Sequence, residues 1–256
     1  MPTWDTTQYL KFAEERTQPS IDLAARIQIA NPKRVVDLGC GPGNSTAVVA
    51  RRWPTAELLG IDNSTEMIAA AKKDFPQHVW QLGDIGSWSP LHRFDVVFSN
   101  AALQWLPNHR HAIPRLFSHV AAGGAFAFQV PANFDAAPHR LIRELGTSTA
   151  WCDAFSAPVR EWHAEEPSFY YDVLAPLSSR VDLWVTEYVH VLPGPEAIVD
   201  WYRGTGLRPW LDLLSTEELR SRFLADYLAG IASAYPRQPD GRVLFPFRRL
   251  FVIAYL

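Results

Sequence analysis

Three glycines within five residues constrain this chain more than any other feature of its sequence. Gly39, Gly41 and Gly43 follow the strand-like segment Arg34–Leu38 and precede Ser45–Trp53, whose apolar residues have helical spacing. Glycine adopts positive φ without steric cost, and its missing side chain lets a ligand approach the backbone closely. The pattern therefore predicts a buried strand, a tight turn and a helix, with a ligand at the turn.

A second strand and a second helix follow at the spacing of one βαβ unit. The run Glu57–Ile61 ends at Asp62, and a helix is predicted over residues 65–75. At the end of such a strand, a carboxylate is placed to accept hydrogen bonds from both ribose hydroxyls of an adenosine. A nicotinamide site with the G-x-G-x-x-G motif would need glycine where Asn44 stands, so the pattern leans away from NAD.

The alternation of strands and helices continues along the chain. Further strands are predicted at 79–82, 94–99, 125–130, 181–192 and 249–256, and helical regions at 8–30, with a break near Pro19, and at 195–235. Such alternation predicts an α/β fold with a mostly parallel sheet and helices on both faces. We expect one domain over 1–256, with its core at about 31–131 and 181–256 and helical cap elements at about 1–30, 132–177 and 195–235.

Composition limits the classes of function. No run approaches the roughly 18 apolar residues of a membrane span, and no secretory leader is evident, so we expect a soluble cytoplasmic protein without a membrane partner. Cys40 and Cys152 stand alone, without histidines at ligand spacing, so neither a disulfide nor a metal is expected. A net charge of −3 gives no general attraction for nucleic acid, which favours a small substrate. The oligomeric state is left open.

Four segments together resemble the class I S-adenosylmethionine-dependent methyltransferases, which have a Rossmann-like fold. They are VVDLGCGPG, LLGID, QLGDI and FDVVFSNAALQWL, within residues 34–130. The resemblance implies S-adenosyl-L-methionine as the cofactor and S-adenosyl-L-homocysteine as its product. It implies that the cofactor is bound by Asp37, Gly39, Cys40, Gly41, Asp62, Asn63, Met67, Asp84, Ile85, Asn100, Ala101 and Trp105. Asp84 also suits a helix cap, Asn100 a turn and Met67 the core, and these alternatives stay open.

Several arginines outside these motifs lie in aromatic and apolar surroundings. Arg203 and Arg208 belong to the segment 201–210, and Arg248 belongs to the segment 245–251. The planar guanidinium pairs with a carboxylate through two hydrogen bonds, and an apolar surrounding strengthens that attraction. An anionic small molecule is therefore the expected acceptor, although ion pairs within the protein are the alternative role for each arginine.

A second combination of residues resembles the trans-aconitate 2-methyltransferase family over nearly the whole chain. It comprises Trp4-Asp5, Tyr9, Arg16, Pro19, Trp105-Leu106-Pro107-Asn108-His109 and Gly204-Thr205-Gly206-Leu207-Arg208-Pro209. The resemblance implies methyl transfer to a carboxylate of trans-aconitate, giving a monomethyl ester. The residues expected to face the acceptor are Tyr9, Arg16, His109, Arg203, Thr205, Arg208 and Arg248.

No catalytic side chain is assigned, because a carboxylate with a pKa of about 4 is already ionised at pH 7 and needs no general base. Two other functions remain open at this point. A methyltransferase acting on an oxygen or nitrogen of another small metabolite would need a base such as His109. A cofactor-binding module without chemistry would instead use its aromatic late region as an interface.

Overall fold

A computed structural model describes the backbone of residues 13–155 and 164–256, and the side chains from residue 17 onward within those ranges. Its centre is one seven-stranded sheet with the order β3-β2-β1-β4-β5-β7-β6. The strands are β1 (Arg34–Leu38), β2 (Glu57–Asp62), β3 (Val79–Leu82), β4 (Phe94–Asn100), β5 (Val120–Pro131), β6 (Arg180–Leu192) and β7 (Val243–Tyr255). Strands β1 to β5 run parallel, and β7 runs antiparallel between β5 and β6.

Helices alternate with the strands, as the sequence pattern predicts. They are α1 (Ala13–Arg26), α2 (Asn44–Arg52), α3 (Thr65–Asp74), α4 (His109–Phe117), α5 (Ala137–Thr147), α6 (Pro167–Leu174), α7 (Pro195–Arg203), α8 (Arg208–Leu211) and α9 (Glu217–Ala234). Short 3-10 turns occupy Leu103–Trp105 and Cys152–Phe155. None of the helices in the described ranges combines the length and the apolar composition of a membrane span.

Apolar side chains cover both faces of the sheet and form a separate cluster in the late region. One face packs against α4 and α6, for example through Ile113 and Tyr170. The opposite face packs against α1 and α2, for example through Leu23 and Val49. The separate cluster joins α5, α7 and α9, which lie in the segments predicted as cap, to the first residues of β7.

Helix α1 differs from the sequence prediction, because it runs through Pro19 without the expected break. Proline removes one backbone hydrogen bond from a helix interior, at a cost of about 3 kcal/mol. Here the buried residues Leu23, Ala24 and Ile27 fix the helix against the sheet, and the Ser20 hydroxyl donates to the Thr17 carbonyl at 2.9 Å. Tertiary packing therefore outweighs the local signal.

Two further elements differ from the predicted boundaries. Strand β7 begins at Val243 instead of 249. Proline has no N–H group, but Pro246 is tolerated in the strand because β7 pairs only with β6 at this position and needs no N–H donor on the side of β5. Helix α6 falls within the predicted cap segment 132–177, yet Tyr170 and Leu174 are fully buried against the sheet. Their apolar spacing is that of a helix packed on the sheet core.

Candidate active site

The glycine loop lies at the carboxyl end of β1, where it contacts the loop that follows β4. The backbone at Gly39 has φ +72°, and a Cβ on this residue would lie only 2.2 Å from the Cβ of Ala102. The Gly39 and Cys40 N–H groups both donate to the Ile61 carbonyl, at 2.8 and 2.9 Å. Glycine is thus required at position 39 by the close approach of two loops as well as by its backbone conformation.

Asp62 ends β2 beside this loop and holds it in place. One carboxylate oxygen accepts from the Gly41 N–H at 2.9 Å, and the other accepts from the Ser64 N–H at 2.9 Å. Each oxygen has two acceptor positions, so the carboxylate retains capacity for two more donors. Burial raises the pKa of Asp62, and these backbone donors partly offset that effect.

A cleft opens beside the loop, at the carboxyl ends of β1 and β4. Its lining is polar and consists of Thr17, Ser20, Gly39, Cys40, Pro42, Asn44, Ser45 and Asn100. At Gly41 the φ is +55°, and a Cβ on this residue would have no atom within 4 Å. The loop backbone therefore faces open space, as it must if a ligand is to lie against it. This geometry fits the binding mode implied for S-adenosylmethionine.

Gly41 provides a test of that fit, because Gly123 is a matched control. Gly123 also has positive φ (+75°) and open space at its Cβ position, but it lies in β5, away from the glycine loop whose residues Gly39, Cys40 and Pro42 line the cleft. We expect Gly41→Ala and Gly123→Ala to lose similar stability, about 1–2 kcal/mol for the left-handed conformation. Only Gly41→Ala should weaken S-adenosylhomocysteine binding, by about tenfold or more, measured by calorimetry. Equal affinities in the two variants would contradict the site.

Asp37 lies beneath the loop, and its side chain is fully buried. One carboxylate oxygen accepts from the hydroxyls of Ser45 and Thr46, at 2.6 and 2.7 Å. Burial raises the pKa of Asp37 from 3.8 to about 6, the two hydroxyls lower it in part, and the nearby charge of Asp62 raises it. Asp37 therefore fixes the start of α2 relative to the cleft, at a cost in stability when it is ionised.

The raised pKa of Asp37 predicts a pH dependence of stability. The folded chain binds this proton more tightly than the unfolded chain, so the stability contributed by the protonated carboxyl is complete below pH 4 and is lost as the pH rises through 6. At about 1.4 kcal/mol per pH unit, the loss approaches about 3 kcal/mol. Urea unfolding should show wild type losing stability relative to Asp37→Asn from pH 4 to 6, and a constant difference above 7. A constant difference throughout would disprove the assignment.

Other residues expected at the cofactor occupy supporting positions. Met67 is buried, and its N–H donates to the Ser64 hydroxyl, which caps α3. Asn63 is exposed beside Asp62.

The exposed Asp84 accepts from the Gly86 N–H at 2.8 Å, so it shapes the turn after β3. Ile85 is buried, and its carbonyl accepts from the Arg115 guanidinium. The core alternative is thus realised for Met67, whereas Asp84 stabilises a turn rather than a helix cap, and adenine contact stays a prediction for both.

The end of β4 carries strained backbone next to the cleft. Asn100 lines the cleft, and Ala101 adopts φ +54°, which is rare for a residue with a side chain. The Ala101 N–H donates to the Gln129 carbonyl at 3.0 Å, and its own carbonyl accepts from the Gln104 side chain at 2.6 Å. Trp105 ends the short turn that follows and is partly buried. These bonds hold the strained residue in place and so fix Asn100.

His109 is placed in the protein interior, and its position gives no support to acceptor contact. Its side chain is buried, with Nδ1 2.7 Å from the Tyr170 hydroxyl and Nε2 2.9 Å from the Leu103 carbonyl. Both ring nitrogens are therefore engaged in tying α4 to α6 and to the loop after β4. A general base would need one nitrogen directed at the substrate, so the geometry also gives no support to His109 as a base.

The structure separates the arginines that sequence reasoning grouped together. Arg203 is exposed and lies 3.9 Å from Asp200, and Arg248 is exposed on the opposite face of β7 from the buried Arg249. Arg208 is more enclosed, with 17% of its side chain exposed, and lies 3.8 Å from Asp212. The Ser64 hydroxyl and then the Arg208 charge help lower the pKa of Glu66, in the first turn of α3.

The remaining acceptor candidates are placed as follows. The Thr205 hydroxyl donates to the Trp201 carbonyl at 3.1 Å, within the turn that joins α7 to α8. Arg16 belongs to the backbone of α1, but its side chain lies outside the described residues, as does the whole of Tyr9. Among the acceptor candidates whose side chains are described, Arg208 is a more enclosed arginine than Arg203.

Two buried polar side chains lie behind the cleft, and sequence reasoning assigned neither of them to the site. Gln129 is fully buried in β5, and Arg249 is buried in β7. Gln129 interrupts the mostly apolar segment Ala125–Val130, and Arg249 lies in the mostly apolar segment Phe245–Tyr255. A polar residue within such a strand was the sequence feature that could have pointed to a buried functional side chain. Among the side chains that the structure describes, no three His, Cys, Asp or Glu residues lie close enough to hold a metal ion.

Comparison with known proteins gives matches over part and over all of the chain. A methyltransferase domain family matches residues 35–124. A trans-aconitate 2-methyltransferase of Azoarcus sp. (strain BH72) is 46% identical over 254 residues, covering 99% of each chain. Another, from Yersinia pseudotuberculosis serotype O:1b (strain IP 31758), is 44% identical and covers 100% of this chain and 99% of its own length.

Solved structures share the fold at low sequence identity. The YcgJ protein of Bacillus subtilis has a TM-score of 0.60 at 14% identity, covering 93% of this chain and 98% of its own. A methyltransferase from Bacillus halodurans C-125 has a TM-score of 0.57 at 14% identity, covering 94% and 98%. These likenesses confirm the Rossmann-like α/β fold that the sequence predicts.

Proposed function

This chain belongs to the trans-aconitate 2-methyltransferase family, and we propose that it transfers a methyl group from S-adenosylmethionine to a carboxylate of trans-aconitate. The products are a monomethyl ester and S-adenosylhomocysteine. The observation that carries the proposal is identity of about 45% over essentially the full length of the relatives, so that the cap is matched as well as the cofactor core.

The cofactor assignment is supported by the fit of the cleft. Asp62 presents acceptor capacity for two hydroxyls, and the open backbone at Gly41 leaves room for a ligand against the loop. Asn100, after β4, is among the residues that line the cleft beside this loop. When bound, S-adenosylmethionine supplies an electrophilic methyl group on a positively charged sulfur. We assign Asp62 to the ribose and Gly39, Gly41 and Asn100 to the methionine end.

The residues of this chain contribute positioning and electrostatics to the reaction. The acceptor carboxylate is ionised at neutral pH and attacks without losing a proton, so no general base is required. Holding two reacting groups in line is worth roughly 7 to 11 kcal/mol of the barrier. Arg208, on the cap, is assigned to one of the other carboxylates of the acceptor, because its guanidinium is the more enclosed one and its charge extends toward α3.

Transfer of labelled methyl from S-adenosylmethionine tests the proposal. Trans-aconitate is offered to the purified chain, with cis-aconitate, citrate and isocitrate in parallel, and base-labile product is scored as ester. Preferential labelling of trans-aconitate is the expected result. Saturable cofactor binding without transfer to any of these acids would overturn the substrate assignment and leave the fold and cofactor site intact.

A further inference from the structure

A row of three polar side chains runs from the protein interior to the cleft. The Arg249 guanidinium donates from Nη1 to the Gln129 Oε1 at 3.2 Å. The Gln129 Nε2 donates to the Asn100 Oδ1 at 3.1 Å. Asn100 and Gln129 are directly opposite in the β4–β5 pair, and Arg249 lies diagonally from Gln129 on the same face of β7. Asn100 lines the cleft, whereas the other two are buried.

The arginine sets the direction of every hydrogen bond in this row. A guanidinium has only donors, so Gln129 must turn its oxygen toward Arg249 and its NH₂ group toward Asn100. Asn100 must in turn offer its oxygen to Gln129. An amide has its oxygen and nitrogen on opposite branches, so the NH₂ group is the branch of Asn100 that remains for the cleft. Without a donor-only residue at one end, both amides would be free to reverse.

We infer that Arg249 and Gln129 are positioning residues that fix Asn100 as a hydrogen-bond donor to a carboxylate bound in the cleft. This inference rests on the proposed function, in which both the cofactor and the acceptor carry carboxylates. The groups around the glycine loop then differ in chemistry. Asp62, which is bonded to the Gly41 N–H, accepts hydrogen bonds, and Asn100 in the cleft lining donates them. The buried positive charge behind Gln129 adds to the attraction for an anion.

The substitution Gln129→Glu reverses the donor and acceptor roles of Asn100 and keeps the size and shape of the side chain at position 129. A glutamate has only acceptors, so it takes the Arg249 donor with one oxygen and the Asn100 NH₂ group with the other, and Asn100 then presents its oxygen to the cleft. Arg249 gains an ion pair, so thermal unfolding should occur at or above the wild-type temperature. Losing one hydrogen bond to a charged group should weaken carboxylate binding about ten- to a hundredfold.

Three ligand readouts identify the carboxylate. Calorimetry measures the Kd of S-adenosylhomocysteine and of 5′-methylthioadenosine, which lacks the amino acid group, and kinetics measure the KM for trans-aconitate. Weaker S-adenosylhomocysteine binding with 5′-methylthioadenosine unchanged supports the inference for the cofactor carboxylate. Unchanged S-adenosylhomocysteine binding with a raised KM supports it for the acceptor carboxylate. Equal weakening of both nucleosides, or no change in any readout, overturns it.

Repeating Gln129→Glu in an Asn100→Ala variant distinguishes an effect that acts through the orientation of Asn100 from direct repulsion by the new charge. A new carboxylate at position 129 also repels anions directly, and that repulsion persists when Asn100 is absent. The inference requires that Gln129→Glu has little further effect in this background, and an undiminished effect there overturns it. If the wild-type chain does not methylate trans-aconitate, the proposed function fails separately, and unchanged S-adenosylhomocysteine affinity in Gln129→Glu then overturns the inference as well.

Discussion

Replacing Asp62 by alanine is expected to weaken the binding of S-adenosylmethionine and S-adenosylhomocysteine by at least about a hundredfold. The proposed contact of Asp62 with the ribose comprises two hydrogen bonds to an ionised carboxylate, each contributing about 1.5–3 kcal/mol, and the variant loses both. The variant also releases the Gly41 and Ser64 N–H groups, so the glycine loop loses its anchor. Isothermal calorimetry of both ligands measures the effect directly, and the KM for the acceptor should change far less.

Asp95 is a matched control for Asp62, because it also holds two backbone N–H groups. Its carboxylate accepts from Lys33 at 2.6 Å and Arg34 at 2.9 Å, at the start of β1 and so at the opposite end of the sheet from the cleft. Asp95→Ala should cost comparable stability without changing cofactor affinity. If the two variants lost cofactor affinity equally, Asp62 would have a structural role only.

Replacing Arg208 by alanine is expected to raise the KM for trans-aconitate about ten- to a hundredfold and to change the Kd of S-adenosylhomocysteine less than about twofold. A charged hydrogen-bond donor to a carboxylate contributes about 1.5–3 kcal/mol, and its partial enclosure limits screening by water. Arg208→Lys keeps the charge but loses the planar fork, so its KM should lie between those of wild type and Arg208→Ala.

Arg203 is the comparison for Arg208, since both lie near an aspartate on the same short stretch of cap. Its side chain is 48% exposed and pairs loosely with Asp200. Arg203→Ala should therefore leave the acceptor KM near that of wild type. A similar rise in both variants would assign the effect to the general charge of the cap, and a parallel loss of cofactor affinity in Arg208→Ala would contradict acceptor recognition.

The sheet could be predicted from sequence because each of its strands has a local signature. Short, mostly apolar runs gave β1, β2 and β4 within one residue of their observed ends. The errors arose where distant contacts decide the outcome. Pro19 reads as a helix break, and only the packing of α1 on the sheet shows that the helix continues. Pro246 made the first residues of β7 look unlike a strand. A proline is tolerated there because β5 does not pair with this part of β7, which the sequence alone does not show.

The cofactor side of the site was more predictable than the acceptor side. The glycine loop and Asp62 are adjacent in one βαβ unit, so spacing along the chain places them together. The acceptor side is assembled from residues far apart in sequence, and exposure alone distinguishes Arg248 from its neighbour Arg249. Neighbouring residues on a strand point to opposite faces of the sheet. The sequence of the segment does not show which of its two arginines faces the interior.

The position of β7 in the sheet has a consequence for the order in which the chain folds during synthesis. Strand β7 is made after β6, yet it lies between β5 and β6, so neither has its neighbour until residues 243–255 have emerged. Until then the exposed valines of β6, Val185, Val189 and Val191, lie on a strand with unpaired edges that invites association between nascent chains. Arg249 arrives with the same strand, so a ribosome-bound chain lacking β7 cannot yet orient Asn100.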